Sequence, residues 1–399
     1  MRRRCRRERL CYNIRVSSAP HPRRNVVVFG ATSLLNDTAS EMAYWILPAF
    51  LTSIGGGPAQ LGIIEGIAES VASFSKLGAG YVTDRFPRRK PLVVFGYVLA
   101  NVVKPILAVA TSWWHVLFIR FADRTGKGLR GAPRDVMVGE SVPRERVGSA
   151  FGLLQAMDSA GAILGPLLAI LLLTHVGFRG VFWAAAVPGL LAIVVVSLFA
   201  RETGTAAAAK PSAPAAPIPL PPRFYWVLAA VMVFSIGNSS DMFLVLRAQE
   251  AGIAASLAPL LGLVFNVVYT LASWPAGRLS DRLSKPTVAA AGYAVFALIY
   301  AVFAAAPSQT AIWIGMGTYG LYYALTNPVL RALVVEAVPG EARGRAFGIF
   351  FFWTSVATLL SSAVTGKLWE AFGAQLPLGI SAALAGIAAL MLLATPRSR

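Results

Sequence analysis

Apolar residues run through this chain in blocks, each closed by a short polar or charged connection. A helix needs about 20 mostly apolar residues to cross the roughly 30 Å hydrocarbon layer of a bilayer. Twelve stretches of that kind follow one another: 26–54, 60–82, 91–111, 113–140, 147–174 and 178–200, then 223–250, 257–279, 286–306, 310–336, 343–371 and 374–395. The pattern predicts an all-α polytopic membrane protein with twelve transmembrane helices. After the sixth block the composition changes to "RETGTAAAAKPSAPAAPIPLPP", an Ala/Pro-rich run that sustains neither regular helix nor strand. The expected organisation is therefore a basic disordered tail (1–24), a six-helix bundle (25–200), a linker (201–222), a second six-helix bundle (223–395) and a short tail (396–399).

The two bundles echo each other. "GYVTDR" at 80–85 returns as "GRLSDR" at 277–282, and "GESVPRERVGSAFG" at 139–152 returns as "VEAVPGEARGRAFG" at 335–348. The shifts, 197 and 196 residues, are nearly equal. One offset shared by two separate blocks is what a duplicated six-helix unit produces, so the bundles are expected to be pseudo-symmetric.

Charge refines the picture. Of 399 residues 56% are hydrophobic and 14% charged, the mean hydropathy is +0.63 and the net charge is +18. Such a charge in a soluble protein points to nucleic acid. Here it collects in the N-terminal tail, in the even-numbered connections and at the C-terminus, whereas the alternate connections carry Arg179 as their only Lys or Arg. The positive-inside rule then places both termini in the cytoplasm of a plasma-membrane protein and makes nucleic acid an unexpected partner. The tail lacks the apolar core and cleavage site of a signal peptide and is suited to lie against anionic headgroups. Cys5 and Cys11 both fall in it, and with only His21 nearby they are too few for a metal site. No metal or other cofactor is expected.

Two motifs carry a family likeness. "GYVTDRFPRRK" matches Gly-x-x-x-Asp-Arg-x-x-Arg-Arg through Gly80, Asp84, Arg85, Arg88 and Arg89. "GLLQAMDSAGAILGP" on the fifth span matches Gly-x8-Gly-x3-Gly-Pro through Gly152, Gly161, Gly165 and Pro166, with "LLAI" where the family pattern ends in two glycines. From about residue 25 to its end the sequence resembles the major facilitator superfamily, most closely its proton-coupled drug and small-molecule antiporters. The resemblance implies the major facilitator fold and places Asp84 at the N-terminus of the eleventh span, where a carboxylate meets the helix dipole. It implies a gating role for the first motif, for its repeat at Gly277, Asp281 and Arg282, and for charged groups of the fourth span, where Arg120 matches the family's arginine and Asp123 and Arg124 follow it. It gives Gly152, Gly161, Gly165 and Pro166 to an antiporter motif, with small residues allowing close helix approach.

The fourth span is the anomaly. "FIRFADRTGKGLRGAPRD", 118–135, holds five cations and two carboxylates. Each would cost roughly 2.5–3.5 kcal/mol at the bilayer centre on insertion scales, so a lipid-facing helix is excluded. At about 100° per residue, Arg120, Arg124, Lys127 and Arg134 share a stripe under a quarter-turn wide, with Asp123 beside it, and can face a cavity together. Alternatively Gly126, Gly128, Gly131 and Pro133 allow a cytoplasmic break, leaving only 113–122 and 132–141 in the bilayer. Opposing groups exist elsewhere: Asn36, Asp37, Ser40, Glu41 and Tyr44 on the first span, Glu65, Glu69 and Lys76 on the second, Gln155 and Asp158 on the fifth, Asn238, Asp241 and Arg247 on the seventh. A buried ion-pair network about an aqueous cavity is expected, with Arg120 paired to the loop of Asp84 or to a first-span carboxylate. "GKG" is not a P-loop, and no nucleophile elbow, metal cluster or Cys/His pair suggests an enzyme.

His21 lies in the tail and His115 and His175 at helix ends, so protons fall to carboxylates. A buried carboxylate whose cationic partner moves between states can load and release a proton. Asp37, Glu41, Glu65, Glu69 and Asp158 are the candidates. For substrate, Asn36, Arg134, Asn238, Asp241, Asn266, Tyr269, Tyr323 and Asn327 offer amides, charges and ring faces to an amphipathic organic molecule. The expected function is proton-coupled export of small amphipathic compounds by alternating access, the partners being substrate, protons and the lipid bilayer and the chain working as a monomer. Proton symport importing an organic anion or metal chelate, and a non-transporting membrane sensor, stay open.

Overall fold

The computed structural model describes residues 24–85, 88–143, 147–203, 219–305, 308–338 and 343–396. The N-terminal tail up to residue 23, linker residues 204–218 and the last three residues lie outside them. Among the described residues every regular element is a helix. Span one is α1 (Arg24–Tyr44) and α2 (Leu47–Ser53); span two is α3 (Pro58–Arg85); span three is α4 (Lys90–Val103) continued by a 3-10 turn, Lys104–Val109; span four is α5 (Trp113–Glu140). Spans five and six share α6 (Val147–Ala184) and α7 (Ala186–Phe199). Span seven is α8 (Pro222–Gly237) and α9 (Met242–Glu250), followed by α10 (Ala258–Arg282), α11 (Lys285–Ala304), α12 (Gln309–Ala337), α13 (Arg343–Phe372) and α14 (Gln375–Leu393) as spans eight to twelve. The twelve spans of the hydrophobic pattern are present.

Local sequence explains the breaks. Pro48 at the start of α2 lacks the N–H that would continue α1 and clashes with the carbonyl four residues back, so span one is interrupted after Tyr44. Lys104-Pro105 likewise turns span three into its 3-10 end. Gly177, at φ +65°, separates spans five and six inside the long apolar run. Span seven parts at "NSSD", where short polar side chains compete with the helix for backbone hydrogen bonds.

The duplication is visible in three dimensions. Gly55 and Gly252 both have positive φ and stand 197 residues apart; Gly177 and Gly373 repeat this at 196. Arg89 pairs with Glu140 at 2.5 Å, and Lys285, 196 residues on, pairs with Glu336, the counterpart of Glu140. The first half packs through α1 on α6 and α3 on α5, the second through α10 on α12 and α11 on α14. The halves meet where α3 lies against α13 and α6 against α10, a two-fold-related pair of contacts.

Glycines set how closely they approach. A Cβ on Gly62 would stand 2.2 Å from the Ser362 carbonyl oxygen, and one on Gly366 would stand 2.4 Å from that of Pro58. Both lie toward the face of the bundle opposite the termini. There the two halves are in backbone contact.

Candidate functional site

The charged segment of span four is one continuous helix, Trp113–Glu140, with Pro133 inside it; the two-piece alternative does not hold. Two further glycines let it sit deep in the first half. A Cβ on Gly126 would meet the Gly96 carbonyl oxygen at 2.6 Å and one on Gly128 that of Ala72 at 2.5 Å, so spans three and two close on it from either side. Its cationic stripe is thereby turned inward.

Ion pairing then follows the stripe. Arg120 donates through Nε and Nη2 to Glu65 Oε1 at 2.9 and 2.7 Å, and through Nη2 to Oε2 at 2.9 Å. Its partner is thus on span two, not on span one or in the loop of Asp84. Glu65 is fully buried and also accepts from Ser240 Oγ at 3.4 Å, across the divide between halves. Arg124 pairs with Glu69 at 3.0 Å, one helical turn further along both helices. Asp123 lies 3.6 Å from Arg120 and 3.4 Å from Lys104, a buried lysine of span three. Lys104 donates to Asn101 Oδ1 at 3.1 Å, Asn101 to Asn36 Oδ1 at 3.0 Å and Asn36 to Asp37 Oδ1 at 2.9 Å. One polar chain therefore links Asp123 to Asp37 through spans four, three and one.

Two adjoining cavities open along this network. The first is lined by Asp37, Glu41, Tyr44, Lys104, Arg120, Asp123, Arg124, Lys127 and Arg130 together with apolar Leu47, Leu107 and Ile119. The second continues toward the terminal face past Glu69, Lys76, Arg134, Asp135 and Asp158. Asp37, Arg124, Lys127 and Arg130 line both. Lys127 sits near the middle of its span and is nonetheless exposed. A lysine there needs water, and the cavities provide the room for it.

The remaining candidates divide. Glu41 accepts from Trp45 Nε1 at 2.7 Å, Arg134 pairs with Asp135 and donates to Ser33 Oγ, and Asp158 lines the second cavity with its Oδ1 buried and unbonded. In the second half Asp241 accepts from Tyr319 at 2.7 Å and Tyr323 at 2.8 Å. Asn266 donates to the Ala162 carbonyl, tying spans eight and five, Tyr269 stacks along Phe265, Asn238 stands at the break of span seven, and Asn327 is exposed. Arg247 is committed to the Phe303 carbonyl and Glu250. Most second-half rings pack among themselves, as in the Phe234–Tyr293 stack at 3.9 Å.

Of the antiporter-type glycines, Gly161 and Gly165 are close-approach points: a Cβ would meet the Leu34 oxygen at 2.6 Å and the Glu41 Cβ at 2.6 Å. Gly152 faces open space and Pro166 lies inside α6. Arg89 pairs with Glu140 and takes Glu202 on its backbone N–H, while Arg88 and Arg282 are exposed. Gly80 and Gly277 lie within α3 and α10, and the side chains of Asp84, Arg85 and Asp281 lie outside the described residues. Lys104, Asn101 and Ser240 were not anticipated. A lone lysine in an otherwise apolar third span was the available signal for the first.

The family model described as the Major Facilitator Superfamily matches residues 29–247 and 226–399. An uncharacterised MFS-type transporter of Methanocaldococcus jannaschii is 32% identical over 355 residues, covering 87% of this chain and 89% of its own. The multidrug resistance efflux pump PmrA of Streptococcus pneumoniae is 24% identical over 358 residues, covering 84% of this chain and 88% of its own. A crystal structure of a variant of the nucleoside transporter NupG has a TM-score of 0.79 at 13% identity, covering 94% of this chain and 100% of that one, a likeness of fold.

Proposed function

The chain belongs to the Major Facilitator Superfamily, and on that footing we propose that it is a proton-coupled transporter exporting small amphipathic organic compounds across the plasma membrane by alternating access. The observation that carries this reading is the pair of charge-lined cavities at bilayer depth, continuous through Asp37, Arg124, Lys127 and Arg130. The charge asymmetry of the loops favours cytoplasmic termini, so the cavities lead to the cytoplasm while the Gly62 and Gly366 contacts close the outer face. Export directionality draws on the efflux pump among the relatives.

In this scheme Glu65 and Glu69 are held by Arg120 and Arg124 and serve as ion-pair joints between helices. Asp37 and Asp158, which both face the second cavity, carry the proton. An inward proton supplies roughly 2.3 kcal/mol per 100 mV and about 1.4 kcal/mol per pH unit, enough for a several-hundred-fold gradient of substrate.

The surplus of cations over carboxylates in the first cavity favours a second reading, import of an organic anion by proton symport. A site beside Asp37 holds an anion best while Asp37 carries its proton, so the two load together. Purified full-length protein in liposomes separates the cases. With an acidic lumen, substrate-evoked lumenal alkalinisation with substrate uptake supports antiport. With acid outside, joint entry of substrate and protons supports symport. Absence of flux for aromatic carboxylates, phosphonates and lipophilic cations alike would overturn the carrier reading.

A further inference from the structure

We propose that Lys127 and Arg130 form a binding subsite for the anionic group of the transported molecule, a carboxylate or phosphonate, whose apolar body lies along Leu47, Leu107 and Ile119. This assignment rests on the reading of the chain as a transporter of amphipathic compounds and narrows its substrate class.

The cations lining the cavities are not equivalent. Arg120, Arg124, Arg134 and Lys104 each have a carboxylate within ion-pair distance. Lys127 and Arg130 have none among the described residues, yet both line both cavities. Three residues apart on α5, they stand on one face. Arg130 is 6% exposed, its guanidinium carbon lies 4.4 Å from the centre of the Tyr97 ring, and its Nη1 is buried without a hydrogen-bonding partner. A buried guanidinium nitrogen left unbonded costs free energy that an incoming anion recovers. Tyr97 holds the guanidinium plane from behind without consuming a donor. Lys127 is exposed to the cavity and brings a mobile ammonium to the same anion.

Polarity within the first cavity sets the rest of the molecule. Its charged residues of span four lie on the terminal side, whereas Leu47, Leu107 and Ile119 gather toward the opposite end. Tyr44 lies between, its ring 5.6 Å from the Arg120 guanidinium and 6.0 Å from that of Arg124. A ligand with an anionic head and an aromatic or aliphatic tail fits this gradient. A lipophilic cation would place its charge against the cationic stripe.

Binding of phenylphosphonate to the detergent-solubilised full chain tests the subsite, read by isothermal titration against neutral benzyl alcohol and the cation tetraphenylphosphonium. Phenylphosphonate is expected to bind, and K127Q and R130Q each to weaken it by about tenfold or more, with R130K recovering part of the loss. Should R130Q fail to run as a single species on size exclusion, K127Q, altering an exposed side chain, decides alone. Phenylphosphonate affinity unchanged within about twofold in K127Q, or a preference for tetraphenylphosphonium in the parent, overturns the subsite. If tetraphenylphosphonium also moves against a pH gradient in liposomes, transport stands and only the anion assignment falls. If nothing moves, the transport reading itself fails.

Discussion

Glu65 and Arg120, 55 positions apart in the chain, form a bidentate ion pair in which the carboxylate is fully buried and touches Ser240 of the other half. The pair thus ties two helices of the first bundle and meets the break of span seven, where Ser240 N–H in turn donates to Ser362 Oγ at 3.2 Å. Removing one member leaves a buried charge without its partner, at a cost of about 3–5 kcal/mol. Arg120→Ala is expected to lower thermal stability in detergent more than the double variant Glu65→Met with Arg120→Met, measured by fluorescence-detected unfolding. Equal losses would show that the charge pair itself is not what the site depends on.

Asp241 takes hydroxyl hydrogen bonds from Tyr319 and Tyr323. With both tyrosines changed to Phe the partly buried carboxylate loses its donors, at a cost of up to about 1–3 kcal/mol. Thermal unfolding of the double-Phe variant should fall and recover when Asp241→Leu is added. A triple variant no more stable than the double would contradict this account.

Backbone contact at Gly62 and Gly366 requires the absence of side chains. Gly62→Val cannot keep the Ser362 oxygen at its present distance, so the halves part on that face. In a background with Cys5 and Cys11 replaced by Ser, a single Ser362→Cys is expected to react with an impermeant maleimide from the side opposite the termini only when Gly62→Val is present. Equal reactivity in both backgrounds would place the closure elsewhere.

Asp37 joins the two cavities and ends the polar chain from Asp123. Asp37→Asn preserves the hydrogen-bonding shape and removes the carboxylate assigned to the proton in the proposed scheme. Substrate exchange across liposomes without a pH gradient is expected to persist while proton-driven accumulation is lost. Retention of pH-driven accumulation would remove Asp37 as the carrier.

Much of the architecture could be read from the residues. Long apolar blocks, the proline-rich linker and the repeated motifs yield twelve spans in two halves because bilayer thickness fixes span length and duplication leaves a constant offset. That α5 turns its cations inward was also legible, since lipid excludes the alternative orientation. Which carboxylate each cation takes was not. Glu65 reaches Arg120 because Gly128 lets span two close against span four, a packing detail that periodicity does not encode. Lys104 is a single cation in an otherwise apolar span, and periodicity does not show that it faces Asp123. Arg130 falls outside the narrow stripe because the stripe counts one face of α5, whereas the two cavities, bounded by spans one, two, three and five, take in a wider arc of it.

Water at the centre of span four is the claim on which everything else turns, and accessibility of residue 127 tests it most directly. In a chain lacking Cys5 and Cys11, Lys127→Cys is expected to be labelled by an impermeant maleimide from the face bearing the termini, and from the opposite face once Gly62→Val is introduced. Labelling from neither face, appearing only after the protein is unfolded, would contradict an aqueous cavity along span four.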